Sequence, residues 1–223
     1  ALVTTAPTAQ AVTCRAFTAI MVRGTDDGGS RGTMGNQLPT ALAAFAAGKG
    51  WNRVTSDYVA YPAAGDVRYF LDSMPKGRVA LEAKIDSYIA SCPSTKIALF
   101  GYSQGAHIVG DVVAGMSAGR RKHLQGVGLI GDPMMNPALL GSVTGNRDRG
   151  GMFGRRASWP KEVYVYDVCN KGDRVCASRA LADSLLYLGG AAKEHAGYTR
   201  TTYSPVADFS AAWLIGHHVA NRT

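Results

Sequence analysis

Lys96-Ile97-Ala98-Leu99-Phe100-Gly101-Tyr102-Ser103-Gln104-Gly105-Ala106-His107-Ile108-Val109 is the stretch on which the reading of the fold turns. Lys96 to Phe100 is a short apolar run, the signature of a buried strand, and Ala106 to Met116 suits a helix. Between them lies Gly-x-Ser-x-Gly. In a strand-to-helix setting this pentapeptide makes a tight, strained turn that lifts the serine hydroxyl above the sheet. The two glycines give the backbone and the neighbouring strands room. The helix N-terminus aims backbone N–H groups at the place where an oxyanion would develop. With 27 glycines in the chain the pentapeptide could arise by chance. The strand before it and the helix after it are what give it meaning.

Outward from this turn, strand and helix alternate. Ala16 to Val22 reads as a buried strand, followed by a Gly-rich loop over Arg23 to Gly35 and a helix over Leu38 to Ala47. A second strand runs from Val54 to Tyr61, stopped by Pro62. Leu81, Ile85, Tyr88 and Ile89 fall on one face of a helix between Gly77 and Ser91. Gly126 to Gly131 and Glu162 to Val168 make two further strands, and Pro205 to Val219 a last helix carrying Val206, Phe209 and Trp213 on one side. This alternation predicts an α/β-hydrolase-type three-layer sandwich with about five mostly parallel strands and helices on both faces. Pro133 to Pro160, rich in Gly, Asn and Arg, reads as a long surface loop. No repeat or composition shift marks a second domain, so residues 1–13 are expected to be a flexible segment and residues 14–223 one domain.

Composition limits the classes. The 223 residues are 46% hydrophobic and 18% charged, values of a globular domain rather than a disordered chain. No run of roughly 18 apolar residues predicts a transmembrane helix. The start at Ala1 has the look of a processed terminus from which a signal peptide has been removed. Four cysteines fit two disulfides. Cys169 and Cys176 are close enough to close a local loop, which leaves Cys14 with Cys92, and the pattern points to an oxidising, extracytoplasmic setting. No Cys-x-x-Cys or tight Cys/His spacing suggests a metal. The formal charge of +8 includes Arg120-Arg121-Lys122 and the group Arg147, Arg149, Arg155 and Arg156. These are read as solvated surface loops, with attraction to an anionic surface as the functional alternative. No recognisable module accompanies the charge, so nucleic acid is not an expected partner.

A nucleophilic serine needs a base, and the base an orienting acid. His107 lies a turn along the serine's own helix and points the wrong way, and His123 sits in the basic stretch. His217 and His218 fall near the end of the last helix. His195, in the irregular Lys193-Glu194-His195-Ala196-Gly197-Tyr198, is the choice for the base. Three aspartates compete for the acid. Asp111 is assigned to helix solubility, Asp132 ends a strand and is a rival, and Asp173 lies between Cys169 and Cys176, where a disulfide would fix its carboxylate.

With these residues in hand the chain resembles the cutinase family, including its acetylxylan esterase and bacterial cutinase-like relatives. The matches are Cys14, Val22-Arg23-Gly24-Thr25, Tyr61-Pro62-Ala63, Cys92-Pro93-Ser94-Thr95-Lys96 and Gly101-Tyr102-Ser103-Gln104-Gly105-Ala106. They continue with Gly131-Asp132-Pro133, Cys169-Asn170-x-Gly172-Asp173-x-Val175-Cys176 and His195-x-x-Tyr198. The resemblance implies a triad of Ser103, Asp173 and His195, with Asp132 structural. It implies oxyanion donors at the Gln104 backbone N–H and at Thr25, whose hydroxyl adds a further hydrogen bond. Two departures bear on the substrate: the long Pro133–Pro160 loop, and the extra stretch holding Leu185-Leu186-Tyr187-Leu188, read as a packed helix or as an apolar flap.

The expectation is a secreted, monomeric serine esterase without metal or organic cofactor, acting on lipid, polyester or cell-envelope esters. The alternatives are an acyltransferase that uses the same triad with a sugar or lipid alcohol, and a non-catalytic binding protein on a hydrolase scaffold.

Overall fold

The computed structural model describes residues 14–29, 31–32, 54–139, 142–144, 149–178 and 193–199. The expectations for residues 1–13, the 38–47 helix, Leu185–Leu188, and the 205–219 helix with His217 and His218 lie outside the described residues.

The described strands form one sheet: β1 (Phe17–Val22), β2 (Val54–Tyr58), β3 (Lys96–Tyr102), β4 (Leu124–Ile130), β5 (Ser142–Thr144) and β6 (Val165–Cys169). Their order is β2-β1-β3-β4-β6-β5, and every pairing is parallel. The parallel pattern explains why the strands read as apolar runs without alternation, since both faces are covered. On one face Ile20, Val22, Leu99, Val127 and Leu129 pack with Leu81 and Ile85 of α1 (Met74–Ser91) and Ile108 and Val112 of α2 (Gln104–Gly115). On the other, Phe17, Ala19, Met21, Ala98, Phe100, Ile130 and Val168 gather with Tyr198. The expected α/β-hydrolase-type layering is the architecture found.

Differences from the sequence reading have local causes. The second strand ends at Tyr58 rather than Tyr61, because the chain leaves the sheet to place the Tyr61 hydroxyl on the Arg23 carbonyl, 2.6 Å away. α1 starts at Met74, three residues early, behind a π-turn over Tyr69–Ser73; Pro75 sits in its first turn, where its missing N–H costs nothing. The segment read as a surface loop contributes β5, a strand too short to show a period, and sends Arg156 inward. Arg156 is 5% exposed, so its reading as a solvated loop cation is corrected. Asp111, read as a solubilising residue, is one of its partners at 2.5 Å. Arg120 and Arg121, in the short helix α3 (Ala118–Arg121), pair with Asp86 and Glu162.

Register decides where chemistry can occur. Val22 lies beside Gly101, and Tyr102 beside Ile130, so β1, β3 and β4 end level with one another. The loops after β1, β3, β4 and β6 therefore open at one edge. In an open α/β sheet that carboxyl edge is where ligands bind.

Candidate active site

The turn after β3 is built as its two glycines require. A Cβ on Gly101 would strike the backbone of Gly105 and Ala106, and one on Gly105 would strike the carbonyl oxygens of Val22 and Arg23. Only hydrogen at both positions lets the helix begin so close to β1 and β3. Ser103, between them, has φ 54° and ψ −118°. A non-glycine residue held there stores roughly 1–3 kcal/mol of strain. Its own N–H donates to Ile130 O at 2.8 Å, which pins the turn to β4. α2 starts at Gln104, so the first N–H groups of an apolar helix lie beside the serine.

Thr25 reaches the same place from β1. A Cβ on Gly24 would stand 3.3 Å from Ser103 Cβ, so the Arg23–Thr25 backbone runs against the serine. The loop after β2 braces this turn. Arg23 Nη2 donates to Tyr61 O at 2.7 Å, Asp26 N to Ala63 O at 2.8 Å, and Gln104 Nε2 to Ala64 O at 3.1 Å. The Ala64 N–H donates in turn to the buried Ser73 hydroxyl at 2.7 Å. Burial pushes the Tyr61 phenol well above its ordinary range, so it stays a donor to Arg23 O.

The acid and the imidazole come from two other segments. β6 ends at Cys169, which is bonded to Cys176, and Asp173 sits in the closed loop with no exposed surface. Asp173 Oδ1 accepts from the Val175 N–H at 2.9 Å; Oδ2 accepts from His195 Nδ1 at 2.9 Å and from the Tyr198 hydroxyl at 2.7 Å. His195, at 3% exposure, lies in α4 (Lys193–Ala196). Its ring stacks on Tyr102, centroids 5.2 Å apart at 22°, and the Tyr102 hydroxyl donates to His195 O at 2.9 Å. Tyr102 immediately precedes Ser103. Beneath the imidazole runs Gly131 with φ 62°, where a Cβ would lie 2.8 Å from His195 Cε1.

Ser103, Thr25, Gln104, Asp173 and His195 are thus brought to one edge of the sheet. The rival Asp132 is engaged elsewhere, by Arg156. Its carboxylate, with no exposed surface, is held by Arg156 at 3.0 Å and by the Met134 N–H at 2.9 Å. His107 is buried, its Nδ1 3.0 Å from the Tyr69 hydroxyl, and burial holds its pKa down despite Asp111 and Asp132. The second disulfide joins Cys14 to Cys92. Among the described residues one trio could suggest a metal, Cys169, Asp173 and Cys176. Two of its members are disulfide sulfurs and no longer offer thiolates. Sequence reasoning gave no job to Tyr102, Gly131 or Tyr198. The His-x-x-Tyr spacing, one helical turn, was the available signal for the last.

A family model described as Cutinase matches residues 13–214. Cutinase of Botryotinia fuckeliana is 30% identical over 173 residues, covering 77% of this chain and 75% of that protein. Carboxylesterase Culp1 of Mycobacterium tuberculosis is 31% identical over 125 residues, 56% of this chain, and the chain spans 55% of that protein. Among solved structures, the catalytic core domain of acetyl xylan esterase from Trichoderma reesei superposes with a TM-score of 0.70 at 20% identity, covering 95% of this chain and all of that one, a likeness of fold. With the match extending over most of the sheet and the loops at its carboxyl edge, the chain belongs to the cutinase family of carboxylic ester hydrolases.

Proposed function

We propose that the chain cleaves esters by acyl transfer through Ser103, with His195 as base, Asp173 as its orienting acid, and Thr25 and the Gln104 N–H as oxyanion donors. The observation that carries this reading is the Asp173–His195 hydrogen bond seated on Tyr102, next to a serine held at positive φ. His195 takes the serine proton as Oγ attacks the ester carbonyl. The oxygen that becomes negative is met by donors already in place, so no reorganisation is needed at the moment of reaction. The imidazolium then protonates the leaving alcohol. Water releases the acid by the same steps reversed, and Asp173 stays a carboxylate throughout.

For the substrate, the informative feature is the rim beside Thr25. Val67, Phe70 and Leu71 are exposed, Leu71 at 81%, and they follow directly on the Ala63–Asp66 loop that leans on Thr25. Exposed large apolar residues at the mouth of a site favour an ester presented on an apolar chain or polymer face over a small acetylated sugar. Surface cations add less to an anionic docking face than their number suggests, because Arg120 and Arg121 are spent on acidic partners. Two disulfides and, among the described residues, no helix long and apolar enough to cross a membrane support a secreted protein. We take it to act as a monomer, with residues 14–223 as one domain.

The test is an ester panel from acetyl to long-chain acyl groups, with a polyester and a glycolipid, run on the protein and on Ser103→Ala. Turnover should rise with acyl length and vanish in the variant, which should also lose fluorophosphonate labelling. Retained turnover by Ser103→Ala would sink the assignment. Adding alcohol acceptors and analysing products distinguishes water from an alcohol as the second acceptor.

A further inference from the structure

The motif His195-x-x-Tyr198 carries a residue that the reaction above does not use. The Tyr198 side chain is 2% exposed, and among the described residues its hydroxyl has three polar neighbours. The Asn170 N–H donates to it at 2.7 Å, and it lies 2.7 Å from Asp173 Oδ2. A phenol has one proton. With Asn170 N–H pointing at the oxygen, that proton goes to the nearer and stronger acceptor, the carboxylate oxygen that also receives His195 Nδ1, rather than to the disulfide sulfur of Cys176 at 3.4 Å. The ring stands edge-on to His195, centroids 6.1 Å apart at 89°, and edge-on to Tyr102, also at 6.1 Å, so the three rings pack against one another. Asn170 is tied in as well, its Nδ2 donating to Glu194 O at 3.1 Å.

Building on the triad reading, we propose that Tyr198 is a positioning residue for the reaction: its hydroxyl fixes the Asp173 carboxylate against His195 and takes up part of the charge that would otherwise fall on the imidazolium. Three donors serve Asp173, one from its own loop and two from the segment that carries the base. A buried carboxylate needs such donors, because burial cuts it off from bulk solvent. Sharing Oδ2 between two donors weakens the bond to each, so the imidazolium is held less tightly than by an Asp–His pair alone. Burial, and then the Asp173 charge, drive the Tyr198 phenol well above its ordinary range, which keeps its proton available for donation.

Among the described residues the groups against His195 are few. They are Asp173 from the β6 loop, Tyr102 from the end of β3 and Tyr198 from its own segment, with Glu194 its neighbour in sequence. Asp132, next to Gly131, is occupied by Arg156. Changing the Tyr198 donor therefore alters the main charge that His195 meets.

The experiment titrates the His195 imidazole by NMR in Ser103→Ala protein, with and without Tyr198→Phe, a readout that needs no turnover. The phenyl variant should move the midpoint upward by roughly half a unit to one unit. In protein that retains Ser103, the acid limb of kcat/KM should move the same way, with kcat down severalfold and KM little changed. A midpoint that stays put or falls in folded protein would overturn the proposal, as would a loss confined to Tm. If Tyr198→Phe does not fold, fluorotyrosine at position 198, a stronger donor, should move the midpoint down; no movement there overturns the proposal equally. Failure of the triad itself would show separately, as turnover surviving Ser103→Ala.

Discussion

Replacing Arg156 by Met removes a charge from the interior while keeping most of the side-chain volume. Arg156 and Asp132 are both sealed from water, and the pair is bound through both carboxylate oxygens, at 3.0 and 3.3 Å. Asp111 keeps Arg78 at 3.3 Å and touches solvent, so it tolerates the loss. Asp132 does not, because among the described residues its carboxylate has, besides Arg156, the Met134 N–H. Removing one partner of a buried pair costs about 3–5 kcal/mol, most of it the penalty on the charge left behind. At roughly 2–4 °C per kcal/mol for a domain of this size, Tm should fall by about 6–20 °C. The assay is a double-mutant cycle by thermal denaturation. Asp132→Asn alone should cost less, since Arg156 retains Asp111, and Asp132→Asn in the Arg156→Met background should recover stability. Additive losses, or an Arg156→Met cost below about 1 kcal/mol, would refute the view that Arg156 works as a buried counterion.

Three further outcomes are expected. Ser103→Gly should melt about 2–12 °C above Ser103→Ala, because glycine tolerates the positive φ that alanine must endure; both variants should be inactive, and equal Tm values would show the turn to be unstrained. Removing the Cys14–Cys92 bond, with sequence separation 78, should cost about 4–5 kcal/mol by loop entropy, against about 2.5 for Cys169–Cys176 with separation 7. Denaturation midpoints should follow that order and activity the reverse order, since the short loop holds Asp173. Asp167 in β6 is buried, and that burial, with the Asp132 charge beyond it and Arg156 only partly offsetting, raises its pKa well above the ordinary carboxylate range. A raised folded-state pKa means its contribution is intact below the unfolded value and lost as pH rises through the folded one. Asp167→Asn should therefore match the parent in acid and gain Tm progressively toward alkaline pH; a difference that does not vary with pH would count against this.

What the sequence revealed depended on how local the cause was. The Gly101–Gly105 turn was legible because strand, serine and helix are contiguous and their sterics act within five residues. Asp173 could be preferred over Asp132 because its two cysteines bracket it in sequence. Arg156 could not be read, because its partners lie 24 and 45 residues away and a charge count does not distinguish a solvated cation from a buried one. Thr25 had no periodic or spacing signal, and it came into view only through the family resemblance. β5, three residues long, leaves no period to detect.

The site also divides by how its parts are held, and this determines where substitutions will hurt. The serine side is placed by main chain approaching main chain: β1 carbonyls lie against Gly105, and Ser103 N–H is bonded to β4. The polar side chains of Arg23, Tyr61, Gln104 and Ser73 brace the loop beside this turn, while at the turn's glycines added volume is the damaging change. The base side is placed by side chains, with Asp173, Tyr198 and Asn170 linking the β6 loop to the segment of His195, and Tyr102 and the disulfide enclosing them. There the damaging change is a deleted donor, which leaves a buried acceptor unmet at about 1–3 kcal/mol. Gly131 belongs to both halves, following the Ile130 that holds the Ser103 N–H and lying under His195. Gly131→Ala would strain a positive φ and push on the imidazole together, so its effect on kcat should exceed its effect on stability more than at any other glycine of the site.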